Sequence, residues 1–184
     1  MKVLNFGSLN VDYVYHVDHI MQPGETQSST QRQVFAGGKG LNQSVALAKA
    51  GLSTYHAGQV GDDADGAMLL EVLEKNGVNV SLVRRTDGPC GHTFIQVDQN
   101  AQNCILLYGG ANCCIPADYR EQVLSQFAPG DVIVLQNEIN DLDKVIDEAY
   151  ARGMTIVLNP SPFDHCLDAC DWNKIDVFFI NEVE

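Results

Sequence analysis

The sequence predicts an α/β protein in which a mostly parallel sheet is flanked by helices and carries a small inserted β-sheet. Short apolar runs alternate with segments of helical periodicity, which is the pattern of βαβ units. The later apolar runs are of the fully buried type, as expected when helices cover both faces of a parallel sheet. Two groups of extended stretches interrupt this alternation, and they predict the insert.

The predicted elements of the main sheet follow in chain order. The first strand covers residues 2–6 and ends at Gly7. The first helix covers residues 41–50, because Leu41, Val45 and Ala48 recur at helical spacing and Gly51 is a stop signal. Further strands are predicted at residues 55–60, 131–136, 154–158 and 176–180, and further helices at residues 65–76, 116–127 and 141–152.

The insert is predicted from segments that lie outside this scheme. Residues 13–17 and 30–35 are strand-like and enclose Pro23-Gly24. Residues 92–97 and 104–108 flank a polar turn and predict a hairpin. We therefore expect a small, mostly antiparallel sheet built from insertions at about residues 13–35 and 90–110.

Composition and charge exclude several classes of protein. Of 184 residues, 45% are apolar and 19% are charged, which are ordinary values for one globular domain. The formal charge of −13 argues against binding to nucleic acid or to an anionic membrane surface. No run approaches the ~18 apolar residues that a membrane-spanning helix needs. We expect neither nucleic acid nor a membrane as a partner.

The six cysteines contain no C-x-x-C pair, so no zinc site is indicated. The apolar start of the chain is too short for a signal peptide. We therefore expect a cytoplasmic protein with reduced thiols. The cysteines are Cys90, Cys104, Cys113, Cys114, Cys166 and Cys170.

Carboxylate and amide side chains follow the predicted strands. Ligands of parallel α/β sheets bind beyond the carboxyl ends of the strands. Carboxylates accept hydrogen bonds and amides both donate and accept, so this set suits a polyhydroxylated ligand. The alternative is that these residues cap helices and fill turns. The set consists of Asn10, Asp12, Asp62, Asn137, Glu138, Asn159, Asn181 and Glu184.

The sharpest local feature is the run Gly37-Gly38-Lys39-Gly40. Paired glycines let the backbone approach a ligand, and the helix that follows points amide N–H groups at the same space. Lys39 adds a positive charge, and the alternative for this residue is a solvated loop lysine. The run is not a P-loop, and Gln43 stands where a dinucleotide fingerprint has its third glycine.

Several motifs together resemble the ribokinase-like (PfkB) family of sugar kinases, in the order in which that family has them. They span the whole chain, and each alone is weak. The motifs are Gly7-Ser8-Leu9-Asn10 with Asp12, Pro23-Gly24-Glu25-Thr26, Gly37-Gly38-Lys39-Gly40 with Asn42-Gln43, Gly61-Asp62-Asp63 with Gly66, Gly109-Gly110-Ala111-Asn112, Gln136-Asn137-Glu138, Leu158-Asn159-Pro160-Ser161-Pro162 and Asn181-Glu182-Val183-Glu184.

The resemblance implies a ribokinase-like fold whose insert is a lid. It implies transfer of the γ-phosphoryl group of ATP to a hydroxyl of a pentose, D-ribose giving ribose 5-phosphate, with Mg²⁺ and, as a further candidate, K⁺. It also implies a homodimer formed through the lid. Asn181 and Glu184 would organise ATP and Mg²⁺, with Glu184 acting on the metal through water. The implied sugar-binding residues are Asn10, Asp12, Gly38, Lys39, Asn42 and Glu138.

The chain departs from the family in one respect. The second family signature, Asp-Thr-x-Gly-Ala-Gly-Asp, is absent, and its last Asp is the catalytic base. We therefore expect residues 1–184 to be the N-terminal part of a longer domain and to contain no catalytic base. Two alternatives stay open: another PfkB sugar or nucleoside kinase, and a non-catalytic sugar-binding module.

Overall fold

The computed structural model describes residues 1–182 and confirms the predicted fold class. The described residues form two sheets and four α-helices. The strands are β1 (Val3–Phe6), β2 (Asn10–His16), β3 (Gln31–Gly37), β4 (Thr54–Gly61), β5 (Asn79–Thr86), β6 (Gly91–Val97), β7 (Asn103–Tyr108), β8 (Val132–Gln136), β9 (Thr155–Asn159) and β10 (Val177–Phe178). The helices are α1 (Lys39–Lys49), α2 (Ala64–Lys75), α3 (Ala117–Leu124) and α4 (Leu142–Ala151), with short 3₁₀ turns at Gly110–Cys113, His165–Ala169 and Trp172–Lys174.

The main sheet has six parallel strands in the order β10-β9-β8-β1-β4-β5. Neighbouring residues of a strand point to opposite faces, so each face has its own apolar cluster. Leu4 and Phe6 of β1 pack with residues of α3 and α4. Val3 points the other way and packs near Leu47 of α1. Helices therefore cover both faces, as the buried apolar strands require.

The second sheet, which we call the lid, has the order β3-β2-β6-β7. The β2–β3 and β6–β7 pairs are antiparallel, whereas β2 and β6 are parallel. The first lid strand begins at Asn10, three residues before the start predicted for the insertion. As a result Asn10 and Asp12 belong to the lid and not to the end of the main sheet.

Strand β5 was not predicted from the sequence. It is an edge strand of the main sheet, and only Leu82 among its residues is buried. Its polar residues, including Arg84 and Arg85, hide the apolar pattern that marks the inner strands. At the opposite edge, β10 has only two residues, against the five predicted at 176–180.

Two further findings concern the described residues as a whole. No helix among residues 1–182 is long and apolar enough to cross a membrane. None of the six cysteines is in a disulfide.

Candidate functional site

The loop between β3 and α1 lies directly on Ser8, which follows β1. The Leu41 N–H donates to the Ser8 carbonyl at 3.0 Å, and the Gly40 N–H donates to Ser8 Oγ at 3.2 Å. A Cβ on Gly40 would lie 2.4 Å from the Ser8 nitrogen, so no larger residue fits. Gly38 has a φ of 91° and provides the N-cap of α1. The helix thus begins at Lys39, two residues earlier than predicted.

This loop brings Lys39 onto Glu138, which follows β8. Lys39 Nζ lies 2.7 Å from Glu138 Oε1, and the Lys39 backbone N–H donates to Oε2 at 3.1 Å. Ser8 Oγ also donates to Oε2. The Glu138 side chain is only 8% exposed, whereas that of Lys39 is 36% exposed. Three donors therefore fix this carboxylate and give it a defined orientation.

A buried polar layer supports the loop from below. Asn5 Nδ2 donates to the Gly40 carbonyl at 2.9 Å. Gln136 Nε2 donates to Asn5 Oδ1 at 3.0 Å and to Gln43 Oε1 at 2.7 Å. Since buried amides are stable only when hydrogen-bonded, this network ties β1, β8 and α1 together beneath the loop.

Asn10 and Asp12 project from β2, and each is held by a neighbour. Asn112 Nδ2 donates to Asn10 Oδ1 at 2.8 Å, while Asn112 Oδ1 accepts from the Leu9 N–H at 2.9 Å. The side-chain nitrogen of Asn10, Nδ2, is then the group of this amide that can donate to a ligand. Thr93 Oγ1 donates to Asp12 Oδ1 at 2.6 Å.

All six residues predicted to bind sugar line one cavity of about 260 Å³. The predicted residues make part of its lining polar, and most of the other lining residues are apolar. Such a combination suits a small ligand with many hydroxyl groups and an apolar ring face. The predicted lining residues are Asn10, Asp12, Gly38, Lys39, Asn42 and Glu138. The other lining residues are Thr93, Ile95, Ile105, Leu107 and Pro162.

A second cavity of about 400 Å³ lies on the other side of Lys39 and contains Asn159, Ser161 and Asn181. The shared ammonium group and the amides suit an anionic group such as a phosphate. Glu184 lies outside the described residues. Among residues 1–182, no group of three or more His, Cys, Asp or Glu side chains could hold a metal ion. Mg²⁺ usually takes one or two carboxylates together with substrate phosphates, whereas the described lining of this cavity has amide and hydroxyl groups and no carboxylate.

Two residues of the predicted strand-end set lie elsewhere. Asp62 pairs with Arg85 at 3.1 Å on the surface. Asn137 Nδ2 donates to the Pro162 carbonyl at 2.6 Å and to Asp164 at 3.0 Å, so it holds a turn. Conversely, the structure adds two groups that were not among the predicted site residues. One is Ser8, which binds Glu138, and the other is the set of cavity-lining residues on β6 and β7. The alternation within the hairpin could have indicated that Thr93, Ile95, Ile105 and Leu107 share one face.

A model of the pfkB family carbohydrate kinases matches residues 1–184. The chain belongs to this family. Among curated relatives, a ribokinase of Staphylococcus aureus is 34% identical over 187 residues, which cover 100% of this chain and 61% of the relative. A deoxyribokinase of Salmonella typhi is 32% identical over 190 residues, which cover 100% of this chain and 61% of the relative.

Solved structures of family members have the same fold. A ribokinase from Cryptococcus neoformans in complex with ADP gives a TM-score of 0.83 at 33% identity, over 98% of this chain and 56% of that one. An Arabidopsis thaliana ribokinase complexed with ribose and ATP gives a TM-score of 0.77 at 30% identity, over 92% of this chain and 58% of that one. The chain thus spans about three fifths of the length of these family members.

Proposed function

We propose that the protein containing this chain is an ATP-dependent sugar kinase that phosphorylates a hydroxyl of a pentose, converting D-ribose to ribose 5-phosphate. The observation that carries this proposal is the convergence of Asn10, Asp12, Gly38, Lys39, Asn42 and Glu138 on one cavity. These residues come from three separate parts of the chain, and together they present the acceptors and donors that a polyhydroxylated ring needs.

In this proposal the chain binds and orients the sugar. The carboxylate of Asp12 accepts hydrogen bonds from sugar hydroxyls, and the amides of Asn10 and Asn42 bind neighbouring hydroxyls. Lys39 lies between the two cavities and offsets negative charge near the transferred group. Phosphoryl transfer depends mainly on positioning and charge neutralisation, so these roles are chemically sufficient for the sugar half of the site.

Asn181 and Glu184 are the proposed contacts to ATP and Mg²⁺, and K⁺ is proposed as a further cofactor. Bound ATP supplies the phosphoryl group, and Mg²⁺ shields its charge. The cavity shared by Lys39 and Asn181 supports this placement. No residue of 1–184 is proposed as the catalytic base. The structures of relatives with ADP, and with ribose and ATP, support the choice of cosubstrate.

A second substrate has specific support. The deoxyribokinase of Salmonella typhi matches the whole chain at nearly the same identity as the ribokinases. We therefore keep 2-deoxyribose as the alternative substrate within the same activity.

The test uses the full-length protein with ATP, Mg²⁺ and a panel of ribose, 2-deoxyribose and adenosine, with ADP formation as the readout. Asp12→Ala removes charged hydrogen bonds of about 1.5–3 kcal/mol each, so kcat/KM for the sugar should fall roughly ten- to several-hundredfold. The KM for ATP should barely change. Asp62→Ala is the matched control, because its carboxylate lies outside both cavities. Absence of sugar-dependent turnover in the wild-type protein contradicts the proposed function.

We also propose a lid-to-lid homodimer in the cytoplasm. Strands β3 and β7 are the edges of the lid sheet, and unpaired edges invite association. Strand β7 exposes apolar side chains, and Leu106 is 68% exposed. Light scattering of the full-length protein at micromolar concentration should give a dimer, and Leu106→Glu should shift it towards the monomer. A strictly monomeric wild-type protein would overturn this part of the proposal.

A further inference from the structure

Thr93 lies beside Asp12 in the lid, although the two are 81 residues apart in sequence. The residues face each other across the parallel pair β2–β6. Thr93 Oγ1 donates to Asp12 Oδ1 at 2.6 Å, and Thr93 is only 7% exposed. Both residues line the cavity. A buried hydroxyl therefore stands next to the carboxylate that is proposed to bind the sugar.

This contact fixes which atoms face a ligand. A threonine hydroxyl has one proton and two lone pairs, and the proton is already given to Asp12. The other carboxylate oxygen, Asp12 Oδ2, lies against Gly37, where an added Cβ would be only 2.0 Å away. Strand β3 and Thr93 thus hold the carboxylate from two sides. What remains in the cavity is a pair of adjacent acceptors, the carboxylate and Oγ1 of Thr93.

We infer that Thr93 is a specificity-determining residue that makes the site prefer a sugar with two adjacent hydroxyls over the analogue that lacks one of them. The inference rests on the proposed function and narrows its substrate to ribose in preference to 2-deoxyribose. A vicinal diol supplies one donor to each acceptor of the Asp12–Thr93 pair. A deoxy sugar leaves one acceptor of this pair without a sugar donor beside a threonine that is only 7% exposed, and such unmet groups are disfavoured.

Sequence identity does not distinguish ribose from 2-deoxyribose as the substrate, because a ribokinase and a deoxyribokinase are 34% and 32% identical to the chain. The Asp12–Thr93 pair supplies a physical reason for a preference. Ile95, Ile105 and Leu107, which line the cavity from β6 and β7, have no side-chain donors or acceptors, so the hydroxyl of Thr93 is the polar group that these two strands contribute to the lining.

The experiment measures kcat/KM for ribose and for 2-deoxyribose with the full-length protein. Thr93→Val keeps the side-chain shape and removes the hydroxyl, and Thr93→Ala is a second variant if the first does not fold. Loss of the hydrogen bond that Thr93 Oγ1 accepts from a sugar hydroxyl should lower the ratio of ribose to 2-deoxyribose kcat/KM roughly three- to tenfold, mainly through the KM for ribose. Thr93→Ser should keep most of the preference. Thr30→Val is the control, because that lid threonine is exposed and outside the cavity.

Each outcome has a distinct meaning. A fall in the ratio in Thr93→Val, with rescue in Thr93→Ser and no change in Thr30→Val, supports the inference. An unchanged ratio, an equal loss for both sugars, or a wild-type preference for 2-deoxyribose overturns it while leaving the kinase function intact. A wild-type protein that phosphorylates neither sugar overturns the proposed function itself.

Discussion

Lys39 and Glu138, 99 residues apart in sequence, form a two-point contact: the ammonium group binds one carboxylate oxygen at 2.7 Å, and the backbone N–H of the same lysine binds the other at 3.1 Å. The pair connects the glycine loop to the segment after β8. It also separates the two cavities, since Lys39 lines both of them. The pair therefore brings two opposite charges together at the site and adds to the contacts from Ser8 and Asn5 that hold the loop.

The partners of this pair should differ in their effect on stability. Lys39→Met leaves a carboxylate that is only 8% exposed without its ammonium partner, whereas Glu138→Gln leaves a lysine that can still reach water. We expect Lys39→Met to lower the free energy of unfolding more than Glu138→Gln, by about 1–2 kcal/mol. Urea unfolding of the full-length variants measures this difference. An equal loss in both variants would show that the carboxylate is better solvated than its burial indicates.

The glycine loop can be tested with two glycines that share a positive φ. Gly38 has a φ of 91° with a ψ of 141°, and Gly51 has a φ of 86°, so alanine is strained at both positions, by roughly 1–3 kcal/mol. A Cβ on Gly38 would also lie 3.1 Å from the Asn10 nitrogen and the Ser8 carbonyl, whereas that on Gly51 meets nothing within 4 Å. Gly38→Ala should lower the free energy of unfolding about 1 kcal/mol more than Gly51→Ala does. Of the two variants, only Gly38→Ala should raise the KM for the sugar. Equal effects on stability and KM contradict the close packing of the loop.

The lid is connected to the main domain through Tyr13, whose hydroxyl donates to Asp65 of α2 at 2.7 Å. This hydrogen bond is the main reason that the pKa of Tyr13 is raised to about 12. Tyr13→Phe removes the bond and should lower stability by about 1 kcal/mol. Amide hydrogen exchange in β2 and β3 should become faster. Tyr15→Phe is the control, because its ring stacks on Phe94 as that of Tyr13 does. The same exchange in both variants would mean that stacking alone holds the lid.

His56 makes stability depend on pH. Burial lowers its pKa from 6.5 to about 4, although the nearby backbone of Gly7 opposes the shift. The unfolded chain therefore takes up the proton first as the pH falls. Above about pH 6.5 His56 is mostly neutral in both states, so the full free energy of unfolding is present. Between pH 7 and pH 5 the unfolded chain binds the proton and the folded chain does not, which lowers the free energy of unfolding by about 2 kcal/mol. The loss continues until about pH 4.

The matched variants are His56→Gln and His165→Gln, compared by urea unfolding across the range from pH 7 to pH 5. His56→Gln should flatten the pH dependence by about the amount lost. His165 is exposed on a 3₁₀ turn, so its replacement should leave the slope as it is. A slope that is unchanged in His56→Gln contradicts the burial of an uncharged imidazole.

Much of the architecture could be predicted because it depends on local patterns. The inner strands β1, β8 and β9 are buried on both faces, so their apolar runs stand out in the sequence. Strand β5 could not be predicted, because an edge strand has one neighbour and tolerates polar residues along most of its length. The early start of α1 also depends on context, since the loop is held by Ser8 and not by a side-chain cap.

By itself, the sequence determined the α/β class and the glycine loop, because alternating apolar runs, helical periodicity and glycine spacing are carried by neighbouring residues. The six residues that line the cavity were predicted only through the resemblance of their motifs to the ribokinase-like family. Only the tertiary structure decided that Asn10 and Asp12 belong to the lid, that Lys39 contacts Glu138 and that Thr93 contacts Asp12. These contacts join residues 81 to 99 positions apart. Their geometry follows from sheet register and loop packing, which the whole fold sets and which no local pattern encodes.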